Sequence, residues 1–461
     1  MSVSAIIFVI LFAVGLGYAV FRHPKYGLYT YVAVFYLHPP SRWWAAGLPD
    51  MRWSYVAALV TLLATLALPR DETRPQWYST TPGKLLIAFT AWVWIQFPWA
   101  LSPEDHQYFA TLFVKYIVVF YLIYRLIDSR ERVVEFLLVH IGGCAYLGWV
   151  ALGVRYTGRL NGVGGPGIDE ANLLAAQIAT GVVIAAMLLL SEKGKKRLMC
   201  FIALPLMLNI MVMAGSRGAF LSVIGAGLVL WYFKPRAYTR AFYAYAIIGL
   251  IAVVSVTNDA FWERMTTIGA AAENSDDADL SAQNRMQAFW AQIQMAKSYP
   301  HGSGHRGTAV LSPKYMDAKW LSVSDNPQRA SHNTLMTAWV EQGIPGLYFY
   351  FAFFMYIYGT LFRRRAVRKS EEAAPWNVIF AAIGAGCTVL YVAGQFVDVA
   401  KAEIFIWLLA AMTTSVELVR RETAPADAKV KPGIARAKAA VPATRAASGA
   451  RSSPARKSPA P

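Results

Sequence analysis

The feature that most constrains this chain is the length of its uninterrupted apolar runs. Ala5–Val20, Leu85–Trp99, Gly181–Leu190 and Leu347–Leu361 are each long, or nearly long, enough to cross hydrocarbon. A spanning helix needs roughly 20 apolar residues, because in lipid every backbone N–H and C=O must find its partner inside the segment. Only 15% of the 461 residues are charged, against about 25% in a soluble domain, so the runs exceed what an ordinary core requires. Apolar runs from 3–20 to 402–419 predict about 12 spanning helices, with 26–38 too short for a comfortable crossing. The expected fold is therefore an all-α polytopic membrane protein. Met1–Phe21 has no basic leading segment and no clear small-residue cleavage site, so it reads as a retained helix.

Charge then orders the loops. The formal net charge is +17, which taken alone would suit a nucleic-acid partner, but its distribution does not. From Arg420 onward there are 10 Lys/Arg against 2 Asp/Glu in a stretch rich in Ala, Pro and Ser, the composition of a solvated, disordered tail. Basic clusters at Arg22–Lys25, Arg70–Lys84, Arg125–Arg132, Lys193–Arg197, Lys234–Arg240 and Arg363–Lys369 alternate with loops poorer in positive charge. The largest of the latter, Asn258–Asn333, holds 8 acids and 7 bases. Lys and Arg collect on the cytoplasmic side of membrane proteins, so the basic loops and the tail are expected there, and Asn258–Asn333 in the periplasm. The chain divides into N-terminal helices (1–257), the large loop (258–333), C-terminal helices (334–419) and the tail (420–461). The three cysteines lie singly in apolar stretches and predict no disulfide framework.

Within the loop, Leu280–Ser298 places Met286, Phe289, Trp290 and Ile293 on one helical face, with Ser281 as the expected N-cap and Arg285 beside that face. Such a helix either lies on the membrane interface or roofs a site. Three polar positions stand out. Arg217, within Gly215-Ser216-Arg217-Gly218, sits where two apolar helices meet. A cation there snorkels, pairs or lines a cavity, and flanking glycines would let an anion approach the backbone. Arg285 is the second, with a solvated face as its plainer reading. His332 is the third, entering an apolar helix ahead of Glu341-Gln342-Gly343-Ile344-Pro345-Gly346; an imidazole titrates near neutrality and can accept a hydroxyl proton. No phosphate-binding loop, nucleophile elbow or zinc spacing appears. Asp276-Asp277-Ala278-Asp279 reads as a solvated turn, and Glu104-Asp105-His106 is the one other candidate metal cluster.

These residues, in this order, resemble the O-antigen ligase and O-antigen polymerase superfamily. The resemblance runs from about Arg22 to Arg420 and rests on the Gly215–Gly218 turn, the large late loop, Tyr299-Pro300 with Gly302-Ser303-Gly304, and His332-Asn333 with Glu341–Gly346. Arg22-His23-Pro24-Lys25-Tyr26-Gly27-Leu28 and Leu37-His38-Pro39-Pro40 are similar to the exosortase-associated O-glycosylation ligases. The resemblance implies a membrane glycosyltransferase of the GT-C type in the bacterial inner membrane, with a large periplasmic loop containing helices. Its donor would be a glycan on undecaprenyl pyrophosphate, and its acceptor a hydroxyl of the lipid A core, of a growing glycan or of a protein. It implies metal-free, inverting transfer without a cofactor, with His332 as base and Arg217 and Arg285 binding pyrophosphate. Arg329, Arg306, His305 and Arg159 are further candidates for substrate contacts, and Glu341 is expected to be structural. Polymerase and protein O-glycosylation ligase stand as alternatives within the superfamily. A lipid-linked glycan transporter is the alternative from another class, disfavoured because the unusual polar residues gather on one side.

Overall fold

The structure, a computed structural model, describes residues 2–69, 71–154, 160–165, 167–257, 262, 280–321 and 327–423. It is all-helical, and a helix stands at each place where an apolar run predicts one. The first ten are α1 (Val3–Phe21), α2 (Lys25–Leu37), α3 (Trp53–Leu66), α4 (Thr81–Ile95), α5 (Pro103–Leu126), α6 (Arg130–Leu152), α7 (Ala171–Ser191), α8 (Gly194–Ala214), α9 (Arg217–Phe233) and α10 (Thr239–Val256). The loop region contributes α11 (Leu280–Ser298) and α12 (Gly307–Tyr315), followed by α13 (Thr334–Arg365), α14 (Ala374–Ala393) and α15 (Glu403–Glu422). Among the described residues, 8 helices are long and apolar enough to cross a membrane by length and composition, and α3 and α9 are shorter apolar helices. The 13 residues of α2 would rise only about 20 Å at 1.5 Å per residue, short of a ~30 Å hydrocarbon core. Met1–Val419 forms one compact unit; the tail beyond residue 423, like Arg159 and Asp276–Asp279, lies outside the described residues.

Amphipathicity decides which helices are central. α7 and α14 are apolar on all sides and buried along nearly their whole length, as expected for helices surrounded by others. α1 buries one stripe, Ala5, Phe8 and Phe12, and leaves Ile6, Ile7, Ile10 and Leu11 exposed. Exposed aliphatic side chains of this kind are at home in lipid, not in water. Polar side chains inside the bundle satisfy one another: the Tyr36 hydroxyl meets His140 Nδ1 at 2.5 Å and accepts from Gln177 at 2.6 Å. Such pairing is obligatory where no water is at hand.

α13 is two helical pieces joined at Gly343, whose φ of 70° and ψ of −160° fall in a region that only glycine occupies readily. The segment Pro300–Gly304 lies across this break. Ser303 N–H donates to Val340 O at 2.9 Å, Gly304 N–H to Glu341 O at 3.0 Å, and Ile344 N–H to Pro300 O at 3.0 Å. Backbone groups freed by the break are thereby satisfied by a neighbouring turn, the usual condition for irregular backbone among membrane helices.

Candidate functional site

The site begins where α13 begins. Asn333 is its N-cap, the side-chain oxygen accepting from Met336 N–H at 3.1 Å, an arrangement that contributes about 0.5–2 kcal/mol relative to alanine. The Ser331 hydroxyl donates to Asn333 O at 2.9 Å and lies 3.4 Å from Gln292 Oε1 of α11. His332 is thus fixed between a capped helix and the loop helix, and is half-buried.

The burial of α11 shows which way its apolar stripe faces. Met286 and Trp290 point outward, 46% and 56% exposed, while Ala288, Ala291, Gln292, Met295 and Ala296 face inward. Alanines on the inner side let the helix approach Leu311 and Val340 closely, which bulky side chains would prevent. The apolar stripe read from periodicity is therefore the outer face, and Arg285, three residues before Ala288, belongs to the inner one. Ser281 falls inside the helix and is not its cap, since α11 begins at Leu280.

Electrostatics tie these elements together. Burial lowers the His332 pKa from its ordinary 6.5, and the positive charges of Arg329 and Arg285 lower it further, with Glu170 opposing. The imidazole is therefore neutral at pH 7, as a proton acceptor must be. Arg329 is held by its N–H on Ser312 Oγ at 2.7 Å and by Nη1 on Trp320 O at 3.4 Å.

Arg217 is presented by a tight turn. Gly215 ends α8 at φ 55°, and Ser216 caps α9, accepting from Ala219 N–H and donating to Asn172 at 2.9 Å. Arg217 is then the first residue of α9, where the helix dipole favours an anion. Close approach of α7, α8 and α9 is possible because Ala171, Ala175, Ala214 and Ala219 meet there. A Cβ on Gly218 would come within 2.8 Å of Phe396, so this turn rests on the connection between α14 and α15.

A second polar group, which sequence reasoning missed, lies at the break in α13. Glu341 is buried, with Lys401 Nζ 3.5 Å and His305 Nδ1 3.6 Å from its Oε2. Asp398 Oδ2 is 3.9 Å from the same ammonium. Burial works against the Lys401 charge, but Glu341 and Asp398 outweigh it and raise the pKa. Burial raises the Asp398 carboxyl and pushes the His305 imidazole down to about 4. The His305 ring stacks on Phe113, and the His305 backbone N–H donates to His106 Nδ1 at 2.9 Å. His305 is therefore built into this group rather than beside His332. Arg306, at φ 64°, is exposed with Nε 3.5 Å from Asp105. In the sequence Asp398 and Lys401 stand in a short loop with no motif of their own, although a Glu inside an apolar helix calls for a counter-charge. An apolar cavity lined by Phe89, Phe113, Phe349, Phe353, Phe354 and Phe405 adjoins His305 and Gln342.

Residues 202–351 match the family described as O-antigen ligase. This span takes in most of α8, the Arg217 turn, Arg285, His332 and the break at Gly343. No curated protein matches the chain. The likeness to the O-antigen ligase family is carried by this segment, 150 of the 461 residues.

Proposed function

We propose that the protein is an O-antigen ligase-type glycosyltransferase of the bacterial inner membrane, moving a glycan en bloc from undecaprenyl pyrophosphate to an acceptor hydroxyl on the periplasmic face, with a lipid A core sugar as the acceptor. The observation that carries this reading is a half-buried His332 at a capped helix start, its pKa lowered by burial and by Arg329 and Arg285. In the reaction the acceptor oxygen forms a bond to the anomeric carbon while the bond from that carbon to the pyrophosphate oxygen breaks, inverting the centre. His332 takes the acceptor's proton, and the departing electron pair stays on the pyrophosphate.

Arg217 and Arg285 bind that pyrophosphate, since bidentate guanidinium contacts suit phosphate oxygens. An imidazolium beside two guanidiniums is unfavourable in the empty site. The donor's negative charge offsets that repulsion, so proton transfer is coupled to donor occupancy. The apolar cavity and the grooves between helices receive the lipid tail. Metal-free transfer is part of the reading, and loss of activity with EDTA in purified protein would refute it.

The test is the envelope glycan profile of a deletion strain complemented with wild type or His332→Ala. Ladder loss with accumulation of full-length lipid-linked polymer, restored by wild type alone, supports the ligase. Accumulation of single repeat units would assign a polymerase, and an unchanged lipopolysaccharide ladder would point to protein or exopolysaccharide glycosylation. Restoration by His332→Ala would remove the base assignment.

A further inference from the structure

The connection between α14 and α15, residues 394–401, follows the first two turns of α13. Thr334 N–H donates to Gly394 O at 2.6 Å, Thr334 Oγ1 to Val397 O at 3.1 Å, and Val399 N–H to Thr334 Oγ1 at 2.9 Å. The Asn333 amide donates to Gln395 O at 3.3 Å. One turn on, Thr337, whose hydroxyl donates to Asn333 O at 3.0 Å, lies beside Asp398, and one turn further Lys401 meets Glu341 at 3.5 Å. Thr334, Thr337 and Glu341 are spaced three and four apart, so they form a single helical face. On its other side the same connection presents Phe396 to Gly218, beside Arg217.

We propose that residues 394–401 are a strap that sets the separation between the Arg217 turn and the His332 end of α13, with Asp398 and Lys401 as positioning residues for transfer. The strap lies outside the matched span 202–351, so nothing in the family match assigns it. Its chemistry fits a positioning role better than one of stability alone. A buried ion pair is seldom more stable than apolar residues of similar volume, but it fixes register because misalignment leaves a charge unpaired. Lys401 also packs its ammonium 3.9 Å from the Phe109 ring centroid, which anchors the strap's far end to α5. Sliding the strap by one residue would break the Lys401–Glu341 and Thr334 contacts together and change the base-to-arginine distance. The catalytic part of the inference rests on the transferase reading, whereas the geometric part does not.

Two measurements test it on the full-length protein. The first is transfer by purified protein, using as donor the lipid-linked glycan extracted from a deletion strain and as acceptor that strain's envelope fraction. Lys401→Met should lower kcat about 10- to 100-fold, the scale of an ångström-level misplacement, with donor KM within about twofold. Lys401→Arg should recover most of kcat, because it keeps the charge. A wild-type kcat in Lys401→Met, or a kcat that falls only with the folded fraction, would overturn the catalytic role. The second is the distance distribution between spin labels at the exposed positions Ala330 and Ile224. Lys401→Met should shift or broaden it, and a superposable distribution would overturn the strap. Activity in His332→Ala with a shifted spin-label distance would reject the base and keep the strap; the reverse pattern would do the opposite.

Discussion

Replacing Gly343 by alanine would put a side chain where three backbone atoms already stand. The new Cβ would lie 2.5 Å from Gly302 N, His301 C and Pro300 O, and the φ of 70° with ψ of −160° is one that non-glycine residues avoid. The backbone conformation alone costs about 1–3 kcal/mol. Forcing an extra methyl against backbone costs about 1–3 kcal/mol more, giving roughly 2–6 kcal/mol in all. Relief by separation is no cheaper. Moving Pro300–Gly304 off the break loses the hydrogen bonds at Val340, Glu341 and Ile344, each worth about 1 kcal/mol. Thermal unfolding in detergent should place Gly343→Ala well below wild type. Gly359→Ala, whose added Cβ would meet nothing within 4 Å, should stay within about 1 kcal/mol of wild type. Because the break aims the half-helix that starts at Thr334, just after His332, transfer by the folded fraction should also fall by at least about tenfold. Unfolding of Gly343→Ala within a degree of wild type would refute the reasoning.

The His332 pKa is lowered, so the kcat/KM acid limb should lie below pH 6.5, with activity lost as pH falls through it. The kcat limb should lie higher, because bound pyrophosphate favours the imidazolium; coincident limbs would contradict charge coupling. Arg285→Ala removes a positive neighbour and should raise the His332 titration midpoint, read by isotope-labelled histidine NMR, and a lowered midpoint would oppose the assignment. Arg217→Lys should retain only part of the activity, since an ammonium cannot make the bidentate contact; full activity would argue against pyrophosphate binding there. Asn333→Ala should destabilise by about 1 kcal/mol through the lost cap, with Asn333→Ser close to wild type. Equal unfolding temperatures for the two would show that the cap contributes nothing.

The apolar runs by themselves determined the all-helical membrane architecture and the helix order, because a segment in lipid has few ways to satisfy its backbone. Residue identity and the family resemblance nominated Arg217, Arg285 and His332 as candidates, since charges beside hydrocarbon are rare and expensive. The direction α11 faces was not legible: periodicity identifies an apolar stripe but not whether it meets the protein or its surroundings, and small alanines won the inner side by allowing closer packing. Nor was the partnership of Lys401 and Asp398 with Glu341, because residues separated by some 60 positions become neighbours only when α13 and the α14–α15 connection are laid side by side. Local chemistry names the charged groups, and only tertiary packing decides which charges face each other in a medium of low dielectric.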